Sequence, residues 1–246
     1  MRVPTLTLHG KSALVTGGAR RIGRQIALSL AQAGADVTIT YRNSATEAAQ
    51  TAQAIRDLGR RAQAVECNVR SEASVRAAVE AAVAFHGPLD LLINNAAVFD
   101  SAPLDSITLE QWDAAFETNA RGPFLVAREA IPHLRATRGR IVNIGSLGGI
   151  KAWAGHAHYC ASKAALHMLT QAMARAFAPE VSVNCVAPGW IEMEDDAGEE
   201  AAGFAARTPM RRNGEAAEVA EAVLFFAAGP AFVTGQILAV DGGLGL

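Results

Sequence analysis

Cysteine is scarce in this chain: three residues in 246, Cys67, Cys160 and Cys185, widely spaced and odd in number. That excludes a disulfide framework and a Cys-x-x-Cys metal site, and leaves buried thiols of a reducing, cytoplasmic compartment as the expectation. An excess of basic charge is missing too. Lys and Arg number 22 against 24 Asp and Glu, a formal net charge of −2, with the arginines scattered. Such a chain offers no basic field of the kind that dominates nucleic-acid binding. No stretch approaches the ~20 uninterrupted apolar residues of a membrane span, and the N-terminal MRVPTLTLHGKS holds no long apolar segment. Neither nucleic acid nor membrane is an expected partner.

What the chain does have is hydrophobic mass. Half of its residues are hydrophobic, enough for one substantial core in a single domain over 1–246. Short β-branched runs at 13–16, 36–41, 62–67, 89–94, 140–144, 181–186 and 236–240 alternate with Ala-rich segments whose apolar residues recur at helical spacing. The expected helices are 21–33, 46–58, 72–85, 109–135, 159–178 and 216–227. This rhythm predicts an α/β fold, a doubly wound, seven-stranded parallel sheet of Rossmann type flanked by helices. Ligands in such sheets sit beyond the carboxyl ends of the strands, so the aperiodic stretch 190–214 is placed to be a substrate lid.

The first strand runs into TGGARRIG (16–23). Gly17, Gly18 and Gly23 allow close backbone approach at a helix N-terminus, where free N–H groups and the helix dipole favour an anion. A dinucleotide pyrophosphate is the anion that suits. Five further motifs follow in order: NNAA (94–97), IVNIGS (141–146), YCASK (159–163), APG (187–189) and TGQILAVDGG (234–243). With TGGARRIG they resemble the short-chain dehydrogenase/reductase family, over nearly the whole chain from Lys11 to Gly243. Three positions depart from the common pattern: Arg21 replaces the middle glycine, Ala97 a glycine, and Met193 a threonine. In Arg21 the chain resembles the pteridine-reductase-like branch of that family.

Tyr159 and Lys163 lie four residues apart on an expected helix and so share a face. A tyrosine serves as general acid and base if its pKa falls from ~10 toward neutrality, and an ammonium ~5 Å away would supply about 3 kcal/mol of that. The resemblance implies that Tyr159 donates the proton to a carbonyl oxygen, that Ser146 hydrogen-bonds that oxygen, and that Lys163 also holds the nicotinamide ribose. Asn119 joins them in ETNARGPF. Pro123 lacks the N–H that would bond the carbonyl of Asn119, leaving that carbonyl to hold a water in the family's proton relay.

The second strand ends in Tyr41, Arg42, Asn43 and Ser44, a cation and short hydrogen-bond donors where an NAD-selective site places an acid. With Arg20 and Arg21 nearby, NADP(H) is the expected cofactor. Ile22, Gly23, Asn68, Val69, Asn95, Ala96, Ala97, Pro188, Gly189 and Ile191 complete the cofactor set that the resemblance implies. Phe99, Trp153 and Trp190 follow three motif segments and suit the walls of a cyclic or aromatic substrate pocket, with Ser146 at its base. His156, His158 and Cys160 have a loosely metal-like spacing but no fourth ligand, so no metal is expected. The expected activity is interconversion of a small ketone and its alcohol. Pteridine reduction, 3-oxoacyl-thioester reduction and a catalytically silent NADPH sensor or scaffold are the alternatives. Pteridine reductases typically place Asp where Ser146 stands, and an acidic run, Glu192, Glu194, Asp195, Asp196, Glu199 and Glu200, would repel an acidic carrier protein. By resemblance the last strand is an interface of a homotetramer.

Overall fold

The computed structural model describes residues 7–193 and 199–246. Seven strands form one parallel sheet: β1 (Ser12–Val15), β2 (Asp36–Tyr41), β3 (Ala62–Glu66), β4 (Leu91–Asn94), β5 (Arg140–Ile144), β6 (Ser182–Pro188) and β7 (Ile237–Val240). Their spatial order is β3-β2-β1-β4-β5-β6-β7, with the direction of progression reversing between β1 and β4, the crevice where doubly wound sheets bind ligands.

Alternation along the strands fills both faces with apolar side chains. Ala13 and Val15 on β1, Leu91 and Ile93 on β4, and Val142 and Ile144 on β5 enter one core layer. There they meet Ile26 and Leu30 of α1 (Arg21–Gln32), Ile55 of α2 (Ala45–Asp57) and Val219, Val223 and Phe226 of α8 (Ala216–Ala228). Leu14, Leu92 and Ile141 enter the other. That layer is closed by α3 (Glu72–His86), α5 (Gly122–Thr137) and α6 (Ala157–Phe177) through Val75, Val79, Leu125, Leu134 and Met173.

Two expectations are corrected. The long helix expected over 109–135 is broken into α4 (Leu109–Phe116), a π turn (Glu117–Arg121) and α5. Pro123 is the cause: it supplies no N–H to the ordinary ladder, and the Gly122 N–H reaches back to the carbonyl of Glu117 instead. The stretch 190–214 is not wholly aperiodic, since it contains α7 (Glu199–Arg207). Its two ends are pinched together: Gly214 N donates to Trp190 O at 3.0 Å and Glu192 N to Gly214 O at 2.8 Å. Glu194, Asp195 and Asp196 of the acidic run lie outside the described residues, as do the side chains of Glu199 and Glu200. No helix among the described residues is long and apolar enough to cross a membrane.

Candidate active site

The glycine turn is held open from beneath. Thr16 Oγ1 accepts from the main-chain N–H of Asn95 at 2.9 Å and of Ala96 at 3.1 Å, while Asn95 Nδ2 donates to the carbonyls of Thr16 at 2.9 Å and Gly17 at 3.0 Å. These bonds knit the ends of β1 and β4 together. Gly17 has φ +64°, and a Cβ at Gly23 would lie 2.2 Å from its carbonyl oxygen, so helix α1 approaches the turn more closely than any side chain permits. No acid occupies the first turn of α1; Arg20 and Arg21 are exposed there and Ile22 is half-buried. The residues therefore fit an anion such as a pyrophosphate. Arg21 itself adopts φ +54°, a left-handed conformation that favours glycine and costs an L side chain roughly 1 kcal/mol.

Along the same rim, Tyr41 and Ser44 are half-buried while Arg42 and Asn43 are exposed. Asn68 folds its Oδ1 back onto Arg70 N at 3.1 Å, beside buried Val69. Asn95 and Ala96 are half-buried and Ala97 exposed. On the far side of the crevice Pro188 ends β6, Gly189 N donates to Val240 O at 2.9 Å, and buried Ile191 bridges to Gly214. All these segments lie at the carboxyl ends of strands, as the motifs require.

Ser146 follows β5 and opens a 3-10 turn (Leu147–Gly149). Its Oγ accepts from Gly148 N at 3.0 Å, its carbonyl accepts from Gly149 N at 3.0 Å, and its own N–H points to His167 Nε2 at 3.4 Å. Tyr159 and Lys163 present one face of α6 to this turn. A Cβ at Gly148 would lie 3.3 Å from the Tyr159 ring and 3.4 Å from Ser146 Oγ; glycine there leaves the space between phenol and hydroxyl open, and Ser146 acts to lower the phenol's pKa.

Lys163 is buried, and its Nζ donates to Ile144 O at 2.8 Å. The ammonium stands 5.8 Å from the Tyr159 ring centre. Burial pushes the phenol up to about 12, against a smaller lowering by Ser146, and draws Lys163 down to about 8. In the chain by itself, burial rather than Lys163 therefore sets the Tyr159 phenol. Desolvation is the largest influence on the phenol, and the ammonium is turned onto the end of β5.

Asn119 sits fully buried in the π turn. Its Oδ1 accepts from Val98 N at 2.9 Å, and its Nδ2 donates to Val98 O at 2.9 Å and Ser162 Oγ at 3.0 Å. Ser162 Oγ in turn donates to Tyr159 O at 2.7 Å. The side chain thus ties the loop after β4 to the helix that carries Tyr159, a role that the free-carbonyl argument did not foresee.

The three aromatic residues singled out for the substrate fall into one cluster, joined by two that the motifs missed. Phe99 meets Tyr159 edge to face at 4.8 Å and Trp153 at 6.4 Å, and stacks on His156 at 4.6 Å. Phe204 of α7 stacks on Trp190 at 4.2 Å and lies 5.7 Å from Trp153. As the second aromatic of 190–214, at the centre of an Ala-rich helical run, Phe204 carried a readable signal. A cleft of about 350 Å³ opens beside Tyr159, with Val98, Asp100, Gln111, Ala114 and His158 among its walls. His156 Nδ1 contacts Asp100 O at 3.0 Å, and His158 and Cys160 are buried.

The family model described as Enoyl-(Acyl carrier protein) reductase matches residues 17–245. The 3-oxoacyl-(acyl-carrier-protein) reductase of Staphylococcus aureus is 36% identical over 240 residues, covering 95% of this chain and 98% of the relative. The tetrahydroxynaphthalene reductase of Pyricularia oryzae is 36% identical over 256 residues, covering 96% and 90%. Among solved structures, a gluconate 5-dehydrogenase from Burkholderia cenocepacia in complex with NADP and tartrate is 38% identical, with a TM-score of 0.91 over 97% of this chain and 96% of that one. The ordered motifs, the seven-stranded sheet and these likenesses along nearly the full length agree: the chain belongs to the short-chain dehydrogenase/reductase family of oxidoreductases.

Proposed function

We propose that the protein reduces a small cyclic or aromatic ketone to its alcohol with NADPH. The observation that carries this reading is the placement of Tyr159. Its ring joins Ser146 on one side and the aromatic cluster of Phe99, Trp153 and Phe204 on the other. In this reading Ser146 and Tyr159 both donate to the carbonyl oxygen, and Tyr159 transfers the proton. The buried phenol is held protonated and so carries the proton that the carbonyl oxygen takes up. Lys163 orients the ribose and sends its charge to the same end of β5, and Asn119 positions the helix that carries both. When bound, NADPH supplies the hydride. Arg42, Arg20 and Arg21 serve its phosphates, with the remaining rim residues around adenine, ribose and nicotinamide.

The cofactor assignment is supported by the gluconate 5-dehydrogenase, whose structure contains NADP. The aromatic substrate class is supported by the tetrahydroxynaphthalene reductase. A second reading, reduction of 3-oxoacyl thioesters, draws on the Staphylococcus relative. We further read 190–214 as a substrate lid, the half-exposed β7 as part of a homotetramer interface, and the three buried free cysteines as the mark of a cytoplasmic protein. A panel of cyclic ketones, linear ketones and 3-oxoacyl thioesters, followed by loss of NADPH absorbance, tests the proposal. It predicts the highest kcat/KM on cyclic ketones; preference for the thioesters supports the second reading, and no turnover of any supports a silent sensor.

A further inference from the structure

His167 lies one helical turn beyond Lys163, buried against the underside of the Ser146 turn. Its ring meets that turn at both ends. Nε2 faces the Ser146 N–H at 3.4 Å, and the other edge of the ring packs against Gly149. The fit is close. A Cβ at Gly145 would lie 2.3 Å from His167 Nε2, and one at Gly149 would lie 2.6 Å from its Cε1, so the first and last glycines of IGSLGG leave the space that the imidazole fills. Cys185 Sγ borders the same space at Gly145, and the Lys163 main chain borders it at Gly149.

An apolar side chain of similar volume would fill that space as well. Only an acceptor satisfies the Ser146 N–H, which is buried and expensive to leave unbonded. We infer that His167 is a positioning residue for the reaction, fixing the main chain of Ser146 so that its hydroxyl faces the substrate oxygen together with Tyr159. This rests on the reading that Ser146 holds that oxygen. For Nε2 to accept, the ring must be neutral with its proton on Nδ1. Burial and the Lys163 charge lower the imidazole to about 4, so the acceptor persists throughout the neutral range. The signal in sequence is a histidine at the spacing i+4 from the lysine of YCASK.

The test compares His167→Leu, which fills the space without an acceptor, with His167→Gln, which restores one. Measured on the NADPH-bound protein are kcat on a ketone that the wild type reduces, the Kd for NADPH, and amide hydrogen exchange at Ser146. His167→Leu should lower kcat about tenfold and speed exchange at Ser146 by a similar factor, the equivalent of one lost neutral hydrogen bond. NADPH affinity should remain within about twofold, because no cofactor contact changes. His167→Gln should recover most of both losses. A His167→Leu enzyme with wild-type kcat overturns the inference, and so does a His167→Gln enzyme as impaired as His167→Leu. Ser146→Ala separates this from the underlying reading. If it keeps full kcat, the role given to Ser146 fails; if it loses kcat while His167→Leu does not, only the role of His167 fails.

Discussion

Lys163 gives its ammonium to the main-chain carbonyl of Ile144 at 2.8 Å, although Tyr159 lies one turn away on the same helix. The carbonyl belongs to the end of β5, two residues before Ser146. The lysine is thereby a buried cation braced against the strand that delivers the hydroxyl. Its cost is visible in its depressed proton affinity, and this gives a signed prediction.

The folded-state pKa of Lys163 is about 8 against a reference value of 10.5. Between these pH values the unfolded chain holds a proton that the folded chain has released, so the wild type gains stability as pH rises through that window. Lys163→Met removes the effect. The difference in unfolding free energy, wild type minus variant, should increase from pH 8 to 10.5 by on the order of 3 kcal/mol. Urea titrations at the two ends measure it, and a decrease would contradict the burial argument.

Arg42 is exposed at the end of β2 with no acid among Tyr41, Asn43 and Ser44. Arg42→Asp should repel a 2′-phosphate and accept from ribose hydroxyls, lowering the NADPH to NADH ratio of kcat/KM by about a hundredfold, or roughly 3 kcal/mol. An unchanged ratio would show that Arg42 does not read the phosphate.

Arg21 separates charge from strain. At φ +54°, Arg21→Gly should give a higher Tm than Arg21→Ala, as relief of up to about 1 kcal/mol is available, while KM for NADPH rises. Arg21→Ala keeps the strained conformation and loses the cation, so it should raise KM without raising Tm. Equal Tm changes in the two variants would dismiss the strain.

Phe204 bridges Trp190 and Trp153 from α7, and Phe99 touches Tyr159. If the rings line the substrate pocket as proposed, Phe99→Ala and Phe204→Ala should each reduce kcat/KM for cyclic ketones about tenfold more than for linear ones, since each removes an aromatic surface on which a planar ligand can stack. Equal losses on both classes would assign these rings to packing alone.

The sheet was legible because seven apolar runs are separated by helices long enough for crossovers, and the ordered motifs placed Ser146, Tyr159, Lys163 and Asn119 at strand ends or on helix faces. The break at Glu117–Arg121 was harder to read, since apolar spacing continues on both sides and only Pro123 betrays it. Spacing along α6 put Lys163 beside Tyr159 but said nothing of where its long side chain would turn. The Ile144 carbonyl decides that, and it comes from a strand distant in sequence. His167 and Phe204 escaped for a related reason: each acts across elements, and neither belongs to a motif.

The central claim is proton transfer by Tyr159 coupled to reduction of a carbonyl. Its most direct test supplies NADPH deuterated at the transferring position of the nicotinamide together with a cyclic ketone, and weighs the product. The account predicts an alcohol one mass unit heavier with the wild type. With Tyr159→Phe, kcat should fall by at least about a hundredfold, with NADPH affinity nearly unchanged. Deuterated alcohol formed at an undiminished rate by Tyr159→Phe would contradict the account.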